Sequence, residues 1–200
     1  QILFEDAYGG RVRNARMDDF EWRLILREDI QASQIDPNYK LTGAHIEALR
    51  WLRSNVIQGR IVLEIGVGRG YFLRALRKAG FIAMGIDVAE EPLKLLREEG
   101  YRVWRGTLET LPADWPEPAA CVVFFVLHHL PEPIHFLRSI KNRFPNAILI
   151  LGQWDRIERL IVSRRPPLGT WLPPRTLSFW GATSLRKAAE LAGYRVERVG

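Results

Sequence analysis

Gly66, Gly68 and Gly70 recur at every second residue, and this run is the one best able to hold a ligand. Glycine lacks a Cβ, so it turns the chain tightly and lets a ligand lie against backbone N–H groups. The spacing discriminates between ligands. A dinucleotide loop needs G-x-G-x-x-G, and Tyr71 fills the third glycine's place. A phosphate loop needs Gly-Lys-Ser/Thr, which is absent. Glu64, two residues before the first glycine, suits a cationic amine better than a pyrophosphate. Asp87 follows Gly66 by 21 residues, where a carboxylate can accept from both hydroxyls of a ribose. Asp87 also suits a helix N-cap. Loop and acid together point to a cationic, nucleoside-containing ligand.

Other reactive side chains are few. His128 and His129 adjoin at the expected tip of a strand. Neighbours on a strand point opposite ways, so they offer no ready chelate and no metal is expected. An imidazole can take a proton from an O–H or N–H acceptor, which makes His129, then His128, the candidate catalytic bases. The competing reading is that His129 packs and shapes its loop. His45 and His135 fall in expected helices, as surface or packing residues. Cys121 is the single cysteine, so an internal disulfide and a four-cysteine zinc site are excluded. It is expected at the buried start of a strand, as an inert thiol.

These residues need a scaffold. Short apolar runs at 60–65, 81–86, 101–105, 119–127 and 147–152 read as strands buried on both faces. Between them, 69–79, 90–99, 133–144 and 184–192 carry apolar residues at helical spacing, and 194–199 reads as a sixth strand. Alternating strands and helices imply an α/β fold, a doubly wound, mostly parallel Rossmann-like sheet with helices on both faces. Ligands of such sheets bind beyond the carboxyl ends of the strands. The expected layout is one domain over 1–200. A helical cap spans 1–57, with a weakly amphipathic stretch at 19–30 and a helix from Thr42 to about Ser54. A cofactor-binding core follows at 58–152, a lid at 153–183, and a last helix and strand at 184–200.

The chain has 200 residues and a net charge of +6. The length fits one ordinary domain. Arginines and acids are interspersed, as in Arg156-Ile157-Glu158-Arg159, and no basic block appears. A solvated arginine-rich surface is therefore favoured over a nucleic-acid footprint. No apolar run approaches the ~18 residues of a membrane span, and residues 1–6 lack the pattern of a secretory leader. A cytoplasmic location is the simplest expectation.

Four segments resemble, in order, the successive motifs of class I S-adenosylmethionine-dependent methyltransferases. They are Glu64-Ile65-Gly66-Val67-Gly68-Arg69-Gly70, Gly85-Ile86-Asp87-Val88, Gly106-Thr107-Leu108-Glu109-Thr110-Leu111-Pro112 and Leu127-His128-His129-Leu130-Pro131-Glu132-Pro133. The stretch Pro174-Arg175-Thr176-Leu177-Ser178-Phe179-Trp180 is similar to the late part of the small-molecule subgroup. The resemblance implies a methyl transfer from S-adenosylmethionine to a small molecule. It places Gly66, Val67, Gly68 and Gly70 against the methionine half and ribose, and Glu64 near the methionine ammonium. It sets Asp87 on the ribose hydroxyls and Val88 against the adenine. Thr107 and Leu108 fall at the adenine edge, and Phe125 and Val126 under the methionine part. Thr107 and Cys121 stand where relatives often carry Asp, and Arg175-Thr176 where His is frequent. The family's seventh, antiparallel strand is expected to be missing or removed, so that a sheet edge is open to a second copy of the chain or the native chain continues past Gly200.

The methyl acceptor is less legible. No Asn/Asp-Pro-Pro-Tyr/Phe motif follows the fourth strand, which argues against base or glutamine N-methylation. The lid, with Trp154, Trp171, Phe179, Trp180 and two Pro-Pro pairs, suits a planar or apolar molecule or simply packs on the sheet edge. Arg164, Arg165 and Arg175 could draw an anionic acceptor. The alternatives are an RNA or protein methyltransferase of the same fold, a nicotinamide oxidoreductase, and a non-catalytic binding or assembly protein.

Overall fold

The computed structural model describes residues 31–32, 36, 38–154 and 176–199. The expected helix at 19–30, and Arg164, Arg165, Trp171, Arg175 and both Pro-Pro pairs of the lid, lie outside them.

Helix α1 spans Gly43–Asn55. Thr42 starts it through a reciprocal cap. The His45 N–H donates to the Thr42 hydroxyl, and the Thr42 N–H donates to His45 Nδ1 at 3.0 Å. There follow β1 (Ile61–Ile65), α2 (Tyr71–Lys78), β2 (Ile82–Asp87), α3 (Glu90–Glu98), β3 (Arg102–Arg105) and β4 (Ala120–Phe124). A 3-10 turn at Leu127–His129 leads to α4 (Pro133–Arg143), β5 (Ile148–Gly152) and α5 (Ala182–Leu191).

The strands form one sheet in the order β3-β2-β1-β4-β5, and every pairing is parallel. The order reverses beside β1, where β2 leaves on one side and β4 on the other. That is the switch point at which open α/β sheets bind ligands.

Side chains alternate across each strand and divide the core into two layers. On one face Val62, Ala120 and Val122 pack with Leu52, Phe72, Leu76, Leu93 and Leu96. On the other, Leu63, Ile65, Ile86, Cys121 and Val123 pack with Leu137, Ile140, Phe144 and Ala188. Truncating a fully buried leucine such as Leu63 or Leu137 to alanine should cost about 2–5 kcal/mol. Cys121 is buried as expected, and burial pushes its thiol up to about 12.

Two expectations are corrected. Residues 194–199 form no strand. Their sequence alternates, but a strand exists only by pairing with a neighbour, and β5 pairs with β4 alone among the described residues. The fourth strand also ends earlier, at Phe124. Phe125 takes the left-handed conformation, φ +56°, and turns the chain out of the sheet toward the 3-10 turn.

Candidate functional site

The glycine loop joins β1 to α2. Gly66 has φ +84°, and a Cβ there would collide with the Val126 side chain. Gly68 has φ +52°, and a Cβ there would meet nothing within 4 Å. So Gly66 is needed for packing against the β4 exit, whereas Gly68 leaves an open cradle above the backbone. Gly70 caps α2 with no side-chain hydrogen bond.

Part of the missing cap comes from the strand. Glu64 lies on the same face as Val62, beneath α2, and is only 3% exposed. Its carboxyl is pushed well above the ordinary range by burial and then by the charge of Asp87. The Leu73 N–H in the first turn of α2 and the Arg74 guanidinium pull it back. Glu64 Oε2 meets no partner within the described residues. A buried acceptor without a donor, on the strand that leads into a glycine loop, is the chemistry that receives an ammonium group.

Asp87 ends β2. Its Oδ2 accepts from the Gly68 N–H at 2.7 Å, and its Oδ1 from the Ala89 N–H at 2.9 Å. It is therefore not the helix cap; Ala89 holds that position in α3. Burial raises the Asp87 carboxyl, and the Ala89, Gly68 and Val88 N–H groups lower it. Each oxygen keeps further acceptor capacity for a ligand hydroxyl.

A cleft of about 770 Å³ opens over the carboxyl ends of β1, β2 and β4. Gly66 lines it from the first loop, and Asp87 and Val88 from the second. Thr107 and Leu108 line it from beyond β3, and Val126 and His129 from the β4 exit. The residues expected on four separate loops thus share one cavity. Sequence reasoning missed Arg105 and Glu132, which also line it, and treated His135 as a surface or packing residue although it stands at the cleft wall.

Six expected residues do not line this cleft. Glu64 is buried on β1 behind the glycine loop, and Gly68 is turned to open space outside the cleft lining. Val67 is buried against Gly85. Gly70 is packed under Leu96. Phe125 stacks on Trp154, ring centroids 4.2 Å apart, outside the cleft. His128 faces Gln153, with its Nδ1 at 2.9 Å from the Gln153 amide. The two histidine rings lie 3.9 Å apart, which corrects the expectation that they point different ways. They sit on a 3-10 turn rather than a strand, so strand alternation does not apply. No group of three or more metal-ligating side chains occurs among the described residues.

Two further contacts hold the site. Arg74, 5% exposed, forks onto Glu99 through Nε at 2.8 Å and Nη2 at 2.5 Å. Its Nη1 donates to the Arg69 carbonyl at 2.8 Å. The glycine loop is thereby tied to the end of α3. On α1, His45 is packed among Phe72, Phe124 and Phe125, and burial lowers its imidazole to about 4.

The model of a methyltransferase domain matches residues 42–199. Curated relatives include the ubiquinone biosynthesis O-methyltransferase of Haemophilus ducreyi, 28% identical, with 84% of each chain covered. That of Bordetella pertussis is 32% identical, covering 76% of this chain and 73% of the relative. Among solved structures, the magnesium protoporphyrin IX methyltransferase of Synechocystis, with bound S-adenosylhomocysteine, superposes at a TM-score of 0.65. It has 17% identity and covers all of this chain and 90% of the other. A sheet of order β3-β2-β1-β4-β5 with a glycine loop at its switch point, and a matching domain over most of the length, establish that this chain belongs to the class I S-adenosylmethionine-dependent methyltransferases.

Proposed function

We propose that the cleft binds S-adenosylmethionine and that its methyl group goes to an oxygen of a small, planar acceptor. The observation that carries the cofactor half is the buried Glu64 oxygen without a donor, on the strand that leads into the glycine loop. In this reading Glu64 draws the ammonium, Gly66 and Gly68 meet the methionine and ribose, Val67 and Gly70 support that loop from behind, and Asp87 accepts from the ribose hydroxyls. Val88, Thr107 and Leu108 enclose the adenine, with Val126 beneath the methionine part. Phe125 stacks with Trp154 beside the β4 exit, as a wall for the acceptor.

When bound, the cofactor supplies a sulfonium-activated methyl, so alignment dominates the chemistry. What remains for the protein is the acceptor's proton. His129 is the titratable side chain at the β4 exit that lines the cleft, and it takes the proton as the new oxygen–carbon bond forms. His128, turned toward Gln153, acts only through its neighbour. The names of the curated relatives, ubiquinone biosynthesis O-methyltransferases, support oxygen as the target atom.

Calorimetric titration with S-adenosylhomocysteine, followed by a screen of catechols and other phenols for methyl transfer, tests both halves. Absence of binding at millimolar concentration removes the reading. Binding with transfer only to RNA or protein keeps the cofactor half and overturns the acceptor half. His129→Ala should lower kcat about 100-fold, the usual contribution of a positioned base. Full turnover in that variant would leave His129 a packing residue.

Partners and location follow the same reading. Several arginines of the described residues pair with acids, as in Arg74–Glu99, Arg97–Glu90 and Arg195–Glu197. This supports a small-molecule partner over nucleic acid. The far edge of β5 is unpaired among the described residues, which supports a homodimer through that edge. No helix of the described residues is long and apolar enough to cross a membrane. A cytoplasmic enzyme is the reading we adopt.

A further inference from the structure

Gln153 follows the last residue of β5 and reaches across to the β4 exit. Four backbone groups of that exit need partners, because the chain leaves the sheet at Phe125 before its 3-10 turn begins. The sheet supplies one bond, from the Phe125 N–H to the Gly152 carbonyl at 2.9 Å. The Gln153 amide supplies two more. With the amide turned so that every donor meets an acceptor, its oxygen accepts from the Val126 and Leu127 N–H groups, each at 3.0 Å. Its NH2 then donates to His128 Nδ1 at 2.9 Å. The 176–180 segment closes the turn from the other side, where the Leu177 N–H donates to the His128 carbonyl at 2.8 Å.

This use of both ends of one amide has a chemical consequence. The oxygen is committed to two backbone donors, so only the NH2 can face His128. A donor facing Nδ1 leaves that nitrogen bare, and a neutral imidazole then carries its hydrogen on Nε2. His128 lies against His129, ring centroids 3.9 Å apart, and His129 lines the cleft. Val126, held by the same oxygen, is the residue that a Cβ on Gly66 would strike. One side chain just past β5 thus fixes a wall of the cleft and the hydrogen position of the histidine next to it.

We propose that Gln153 is a positioning residue that locks the Val126–His129 turn and holds His128 as the Nε2–H tautomer. The consequence for ligand binding rests on the reading of the cleft as the cofactor site; the tautomer does not. Gln153→Glu separates the two roles. Its carboxylate still accepts from the Val126 and Leu127 N–H groups, but it has no hydrogen to give, so His128 Nδ1 must carry one. Gln153→Leu removes both roles and leaves two N–H groups without their acceptor.

The test is imidazole nitrogen NMR on the ligand-free full chain, with His128 assigned by the loss of its signals in His128→Asn. It is paired with calorimetry using S-adenosylhomocysteine. The wild type should show His128 protonated on Nε2 alone, and Gln153→Glu should show a hydrogen on Nδ1. Gln153→Leu should bind S-adenosylhomocysteine about tenfold more weakly, the scale of a lost pair of hydrogen bonds. Gln153→Glu should stay within about threefold of wild type, since its backbone bonds survive. A wild-type His128 protonated on Nδ1, or unchanged affinity in Gln153→Leu, overturns the proposal. If wild type binds no S-adenosylhomocysteine at all, the cofactor reading falls, and the tautomer alone then decides for or against Gln153.

Discussion

Glu64 shows how a single buried acid can work against the fold and for the ligand. Its folded-state carboxyl is raised, so the fold binds a proton that the unfolded chain releases above its ordinary value of 4.5. Its contribution to stability is therefore present in full below that value and is lost as pH rises through the folded value. Glu64→Gln should raise the melting temperature of the ligand-free protein at about pH 8, leave it little changed near about pH 4, and weaken S-adenosylmethionine binding. Thermal melts at the two pH values, with calorimetry, check this. A melting temperature below wild type at the higher pH counts against it.

His45 titrates with the opposite sign. Its imidazole is lowered from 6.5 to about 4, so the fold prefers the neutral ring and stability is lost as pH falls through that window. The melting-temperature gap between wild type and His45→Phe should narrow on acidification from about pH 7 to about pH 4.5. A gap independent of pH would show that the ring's neutrality does not matter. Asp87 and His129 could be expected at the cleft because the glycine spacing and the strand ends are local patterns. His45 was legible only as a helical residue, since its aromatic box comes from α2 and the β4 exit.

At the scale of elements, the loop between β1 and α2 is braced by contacts that no local pattern reveals. Arg74 and Glu99 are 25 residues apart, as are His128 and Gln153. Each pair meets only because the sheet sets its strands side by side. Arg74→Leu leaves Glu99 unpaired beneath the loop and frees the Arg69 carbonyl. It should destabilise by about 3 kcal/mol, with Arg74→Leu/Glu99→Leu recovering part of the loss. Denaturant unfolding of both variants is the check, and equal stability of the single variant and wild type would deny the brace. The two glycines separate in the same way. Gly66→Ala must displace Val126 and should lose stability and ligand binding together. Gly68→Ala meets open space, so it should cost only the roughly 1–2 kcal/mol of a left-handed alanine while filling the cradle. If Gly68→Ala bound S-adenosylhomocysteine as wild type does, ligand would not lie against that backbone. Element types were legible from periodicity, whereas the early end of β4 was not. Phe124-Phe125-Val126 continues the apolar run, and only the left-handed Phe125 reveals the turn.

For the whole molecule, the sheet was legible in type because runs apolar on both faces have no other home. The fate of 194–199 was not, since pairing depends on a neighbour and not on the run itself. The β5 edge carries the prediction at this scale. Light scattering should report a dimer, and Ile150→Lys on that edge strand should shift it toward monomer. A monomer in the wild type would leave the edge to be covered by the chain itself.

The switch-point arrangement has a consequence for how such a protein can diversify. Every strand of the described residues, and every cleft-lining loop named above, falls within the continuous stretch 61–152. The aromatic stack and the turn brace draw on residues just beyond it. On the proposed reading, grip on the methyl donor therefore rests on 61–152 together with Gln153, so an exchange of outer segments with a relative preserves the donor's affinity only where the Gln153 amide is retained.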